Sequence, residues 1–368
     1  MKNIIITTAF LLLAVLGEVQ AQQTEQQQPL SRQQQLKRQR QQQEWERLTP
    51  EQRQKATLHR QRIRTPNDPN NPYNTKLMPL TDLGKKTYQG EQGGLYPGGR
   101  NIRPKSATQA GITIAKTIRP LNKAGKPDAE HGKIVWLSIG MSNTFMETKA
   151  FIDLVKDRPE INPCIKFING GFGSMAIDQI NNPDTAYWDN IVKQRLIPQG
   201  LSPEQVQVIW FKTAQSGPED RDSTFMNYIP ALADKYISVI RIIRQKFPNV
   251  KQIYLSPRIY AGYAKYRLSP EPFAWYTGWA IKRVIEMQLN GDSRLRYDGQ
   301  ASESPWLSWG PYLWANGTNP NSDGLRWDRD DLGPDGTHPS PAGSRKVADM
   351  LLDLFSNDPA SAPWFLKQ

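Results

Sequence analysis

The stretch KIVWLSIGMSNTF, residues 133–145, marks the point where the chain begins to read as regular structure. Its first eight residues form a nearly continuous apolar run of strand length, the pattern of a strand covered on both faces rather than on one. Downstream, METKAFIDLVKD reads as a helix, CIKFING and VQVIWFKTA as strands, and FMNYIPALADKYISVIRIIRQKF as a long amphipathic helix. KQIYLSPRI is a further strand, EPFAWYTGWAIKRVIEMQL a further helix, and SPAGSRKVADMLLDLF closes the series as a helix. Alternating strands and helices of this kind predict an α/β domain with a central parallel sheet covered by helices on both faces. In such sheets ligand sites gather at the carboxyl ends of the strands. The turn after KIVWLSIG therefore matters, and it carries Ser142 and Asn143.

Working back toward the amino terminus, residues 1–21 carry Lys2, an apolar run from Ile4 to Leu16 and a small-residue site ending at Ala21. This predicts a secretory signal peptide and an exported protein, periplasmic or extracellular. Residues 22–64 are dominated by Gln and Arg. They hold too little apolar surface to offset chain entropy and read as disordered or partly helical, with a helix start at Thr49-Pro50-Glu51. About half of the net charge of +12 lies in this tail, as a solvated tether or as a contact to acidic surface polymers. Nothing in the charge pattern asks for a nucleic acid partner. Residues 65–132 are rich in Pro and Gly and predict a loop-rich extension resting on the main domain through Leu83, Tyr88, Leu95 and Tyr96, with a strand at GITIAKTI; the main domain then runs over residues 133–368. The lone cysteine, Cys164, reads as a small buried hydrophobe.

The chemistry turns on a scarce residue. Of three histidines, His59 falls in the Gln-rich tail and His131 in the polar linker, which leaves His338 in GPDGTHPSPAG for any imidazole chemistry in the folded domain. Ser142 alone reads as a helix cap as readily as a nucleophile. A serine nucleophile needs an adjacent base, and the base needs a group that fixes its tautomer. Asp335, three residues before His338 in a turn stiffened by Pro339, is placed for that role. Ser142, His338 and Asp335 form the expected catalytic set.

IGMSNT followed far downstream by DGTHPSPAG resembles the first and last motifs of the SGNH (GDSL-type) hydrolases, and the Gly-x-Ser-Asn form is similar to carbohydrate O-acetylesterases. The resemblance spans about residues 133–355. It implies a three-layer α/β/α flavodoxin-like domain, with Ser142 as nucleophile, Asp335 as orienting acid and His338 as base. It also implies an oxyanion-hole glycine in INGGFGSMA, matched by Gly170 or Gly171 and less well by Gly173. The third motif departs from the family, because WFKTAQSGPED holds no asparagine; Gln215 is its nearest amide donor and Asn143 the alternative.

Before the Asp-His loop come Trp306, Trp309, Tyr312, Trp314 and Trp327, whose flat faces beside Asn316, Asn319 and Arg326 suit a sugar ring, although some are expected merely to cover the sheet edge. No cofactor or metal is expected. Histidine and cysteine do not cluster, the WDRDD carboxylates lack calcium-loop spacing, and the Gly171/Gly173 pair lacks nucleotide-binding partners. These readings predict a secreted serine esterase that removes acyl groups from a carbohydrate or other small ester. The alternative is a binding or scaffold protein that keeps the fold without catalysis.

Overall fold

A computed structural model describes residues 77–217, 224–266, 268–299 and 302–367. The signal peptide, the Gln-rich tail and residues 65–76 of the extension lie outside the described residues.

The sheet has five strands: β1 Ile134–Gly140, β2 Ile165–Gly171, β3 Val206–Lys212, β4 Gln252–Leu255 and β5 Trp306–Trp309. Their order is β2-β1-β3-β4-β5 and every pairing is parallel. Every residue of β1 and of β3 is buried, as their unbroken apolar runs require. β2 is an edge strand and exposes Lys166, a charge that discourages pairing with another chain.

The main helices are α1 Lys105–Ala115, α2 Ser142–Val155, α3 Phe225–Lys246, α4 Phe273–Leu289 and α5 Pro341–Asn357. The connection from β1 to β2 runs one way along the sheet and those from β3 through β5 run the other. Right-handed crossovers then put α2 on one face and α3 with α4 on the opposite face. α5 returns to pack against α2, while α3 and α4 pack on each other. The result is the three-layer α/β/α arrangement expected, with the flavodoxin-like strand order.

Two sequence expectations fail. GITIAKTI is not a strand: its first five residues complete α1, whose buried positions Ala107, Gly111 and Ala115 recur every four residues. Gly111 lets that helix approach so closely that a Cβ there would lie 2.5 Å from the Trp306 ring, so packing overrode the β-branched alternation. Cys164 is only half-buried. The strand at Trp306–Trp309, read earlier only as part of an aromatic cluster, closes the sheet.

The extension shares the main core. Leu80, Leu83, Leu95 and Tyr96 are buried in it, the Leu80 N–H donates to the Tyr312 hydroxyl at 3.0 Å, and the Trp309 indole N–H donates to the Leu95 carbonyl at 2.8 Å. Buried Gln252 on β4 donates to the Gly111 and Ala360 carbonyls and accepts from the Trp364 indole, fastening α1 and the carboxyl terminus to the sheet.

Candidate active site

β1 ends at Gly140, where φ is +153° and a Cβ would lie 2.0 Å from the Lys212 carbonyl oxygen. The chain can make this close turn only without a side chain, and it delivers Ser142 to the first position of α2. At that position the Ser142 N–H has no intrahelical acceptor.

Across the carboxyl end of the sheet, Ser142 Oγ lies 2.7 Å from His338 Nε2, and His338 Nδ1 lies 2.5 Å from Asp335 Oδ2. A carboxylate can only accept, so Nδ1 carries the proton and Nε2 presents its lone pair to the serine hydroxyl. Partial burial works against the Asp335 charge, but hydrogen bonds from the Thr337 N–H, the His338 ring and the His338 N–H outweigh it and hold the carboxyl below the usual carboxylate range. The His338 and Asp335 side chains keep 31% and 25% exposure, so a substrate can reach them.

The loop that carries the pair is braced from several sides. The Gly333 N–H donates to the His338 carbonyl at 2.8 Å, and the Gly336 N–H donates to the Gly333 carbonyl at 2.9 Å. Arg329 donates to the carbonyls of Leu332, Gly333 and Pro334. Gly336 has φ +67°, and a Cβ there would lie 1.7 Å from the Tyr263 carbonyl oxygen. Gly336→Ala therefore combines backbone strain of about 1–3 kcal/mol with a direct clash. It is expected to lower the melting temperature and to cut turnover at least about tenfold by displacing His338; a variant with normal turnover would separate the loop from the chemistry. Beyond the loop, Ser340 caps α5 by accepting from the Gly343 N–H, and Pro341 occupies the first helical position.

Beneath Ser142 lies a feature the sequence reading missed. Lys212, the last residue of β3, donates to both oxygens of Glu147 on α2 at 2.7 Å, with both side chains fully buried. Burial pushes the Glu147 carboxyl up and the Lys212 ammonium down, and their contact opposes both shifts. The pair ties α2, which Ser142 opens, to the adjacent strand end, helped by Thr144 Oγ, which donates to the Lys212 carbonyl at 2.6 Å. Lys212→Met leaves a buried carboxyl unpaired and is expected to cost about 3–5 kcal/mol in urea unfolding. Adding Glu147→Leu is expected to recover part of that loss. A lone lysine ending an apolar strand was the only sequence signal for this pair.

The oxyanion donors named from sequence are mostly occupied. The Gly170 N–H donates to Ser138 Oγ at 3.2 Å and the Gly171 N–H to Asn169 Oδ1 at 3.1 Å, so neither points a free hydrogen at a substrate. Asn143 is buried, and its amide donates to the Thr337 carbonyl at 3.0 Å, which makes it a brace for the histidine loop. Gln215 accepts from Lys235, which also pairs with Asp178. Gln215→Ala is expected to change kcat by no more than about twofold, the scale of an ordinary surface substitution. The exposed turn at Gly173 and Ser174 has N–H groups without an acceptor among the described residues.

The aromatic residues assigned to substrate are core residues. Trp314 and Trp327 are fully buried, and Trp309 and Tyr312 nearly so. The indole N–H groups of Trp309, Trp314 and Trp327 donate respectively to the Leu95 carbonyl, Glu271 and the Leu313 carbonyl. With their polar handles satisfied inside, these rings present little surface to a sugar.

No protein-family model and no curated protein matches the chain. Among solved structures it is similar to a carbohydrate esterase family 3 protein from Talaromyces cellulolyticus, at 13% identity and a TM-score of 0.37, over 60% of this chain and 96% of that one. It is also similar to a GDSL-like lipase from Bacteroides thetaiotaomicron, at 10% identity and a TM-score of 0.33, over 67% of this chain and 95% of that one. Both likenesses are distant, and the functional reading rests on the geometry of the site itself.

Proposed function

We propose that the chain is a serine ester hydrolase of the SGNH type, acting through an acyl intermediate on Ser142. The observation that carries the proposal is the continuous Ser142–His338–Asp335 hydrogen-bond chain, with spacings of 2.7 and 2.5 Å at the carboxyl end of a parallel sheet. His338 Nε2 takes the Ser142 hydroxyl proton as Oγ attacks the ester carbonyl, and Asp335 stabilises the imidazolium that forms. As the tetrahedral intermediate collapses, the alcohol leaves with the proton from His338. Water, deprotonated by the same nitrogen, then attacks the acyl group, releasing the acid and restoring the serine. The Ser142 N–H, which has no intrahelical acceptor, is the backbone donor next to the developing oxyanion.

The finer reading is removal of acyl, chiefly acetyl, groups from a carbohydrate by an exported enzyme. The Gly-x-Ser-Asn motif supports the carbohydrate and residues 1–21 support export. With the tryptophans in the core, the sugar reading has no aromatic platform from that cluster. The test is labelling with a fluorophosphonate probe followed by peptide mapping, alongside hydrolysis of p-nitrophenyl acetate. An adduct on the peptide containing Ser142 is expected. Turnover with the label elsewhere would overturn the assignment, and neither label nor turnover would leave the binding-protein alternative.

A further inference from the structure

Two aromatic rings beside the nucleophile take no part in the proposed hydrolysis. Phe145 lies three residues after Ser142 on α2, hence on the same helix face, and is 37% exposed. Gly171 packs so tightly against Phe145 that a Cβ would lie 2.6 Å from its backbone nitrogen, and this brings the following residue, Phe172, alongside. The platform is braced from below. Phe172 meets Tyr187 edge-on at 5.7 Å, and the buried Tyr187 hydroxyl donates to the Gly170 carbonyl while accepting from the Gly140 N–H, bridging the tips of β1 and β2.

Arg195 lies over this platform. It comes from a π-helical turn, Val192–Leu196, and its guanidinium sits 4.4 Å from the Phe172 ring centroid and 5.8 Å from that of Phe145. Its side chain makes no ion pair and no hydrogen bond among the described residues, and Nε is buried without a partner. Half-buried Arg103, by contrast, pairs with Asp358. Contact with an aromatic ring engages the flat face of a guanidinium, and its N–H donors, which lie in the guanidinium plane, are left unused. Such a planar fork binds a carboxylate in bidentate fashion.

We propose that Arg195, held on Phe172 and Phe145 beside Ser142, is a specificity residue that binds a carboxylate carried by the ester substrate. The proposal rests on the ester-hydrolase reading and deepens it, since it selects acidic esters over neutral ones. The carboxylate can belong to the acyl part, as in a succinyl half-ester, or to the alcohol part, as in an acetylated uronic acid.

The test compares kcat/KM for p-nitrophenyl hydrogen succinate against p-nitrophenyl acetate, and for acetylated glucuronic acid against acetylated glucose. Each ratio is read within one variant, so that a general loss of activity cancels. In the unaltered protein one of the two acidic esters is expected to be preferred by about tenfold or more, the scale of a charge-assisted hydrogen bond. Which pair shows the preference identifies the part that carries the charge. Arg195→Gln is expected to abolish that preference. Arg195→Lys is expected to keep part of it, with stronger salt sensitivity because a point charge lacks the fork.

Calorimetric titration with succinate and glucuronate, against succinamide and glucose, reads the same site without catalysis. Acid binding that vanishes in Arg195→Gln supports the proposal even if no ester is turned over, in which case the hydrolase reading alone falls. Ester turnover with equal treatment of acids and neutral analogues, or an acid preference that survives Arg195→Gln, overturns the role of Arg195 and leaves the hydrolase reading standing. A lowered melting temperature with unchanged selectivity would likewise reduce Arg195 to a structural cap on the two rings.

Discussion

Replacing Ser142 by Ala is expected to abolish ester hydrolysis, lowering kcat by about 10⁴-fold or more, with no change in fold. The magnitude follows from the way triads act as a unit: without the nucleophile the base has nothing to activate, and only the oxyanion donors and substrate binding remain. Ser142 sits at the first position of α2 with its hydroxyl directed to His338, and its removal deletes one hydrogen bond from an open site. Stability is therefore expected to fall by no more than about 1 kcal/mol. Steady-state kinetics on p-nitrophenyl acetate together with a thermal melt check both halves. Residual turnover within tenfold of the unaltered protein would show that another group performs the attack.

The second large effect belongs to His338. His338→Ala removes the nitrogen that lies 2.7 Å from Ser142 Oγ and is expected to cost as much as the loss of the serine. Asp335→Asn is expected to cost less, because the acid orients the ring and stabilises its cation without transferring the proton. The pH dependence of stability gives an independent check on Asp335. Its folded carboxyl is held below the usual range, so it stays ionised above the ordinary carboxylate value and loses its charge only as pH falls through the lower folded value. The stability that Asp335 lends follows the same window, present above the unfolded carboxylate value of about 3.9 and lost at more acid pH. An acid-unfolding profile that is unchanged in Asp335→Asn would show that the carboxylate lends no such stability.

Much of this site is legible in the sequence alone. The apolar runs KIVWLSIG and VQVIWFKTA bury whole in β1 and β3, because a strand covered on both faces must be apolar at every position, and that requirement is written locally. Asp335 and His338 are three residues apart in one turn, so their contact is likewise a local matter, and the scarcity of histidine pointed across the chain to Ser142.

Other features depend on neighbours distant in the chain, and only the tertiary structure decided them. The same tryptophans that suit a sugar face also suit a core. Whether Trp314 meets water or Glu271 depends on how the segment leading into α4 and the segment leaving β5 come together. Gly170 and Gly171 fit the family's motif by type, yet their N–H groups are captured by Ser138 and Asn169, a competition between acceptors that composition cannot rank. GITIA could alternate as a strand or turn as a helix until Trp306 presented a surface that only Gly111 could approach. The buried Glu147–Lys212 pair and the guanidinium of Arg195 on Phe172 and Phe145 each join residues on separate elements. Periodicity is a property of a segment, whereas burial, partner choice and charge compensation are properties of the assembled neighbourhood, and it is the neighbourhood that turns a serine, an aspartate and a histidine into a site.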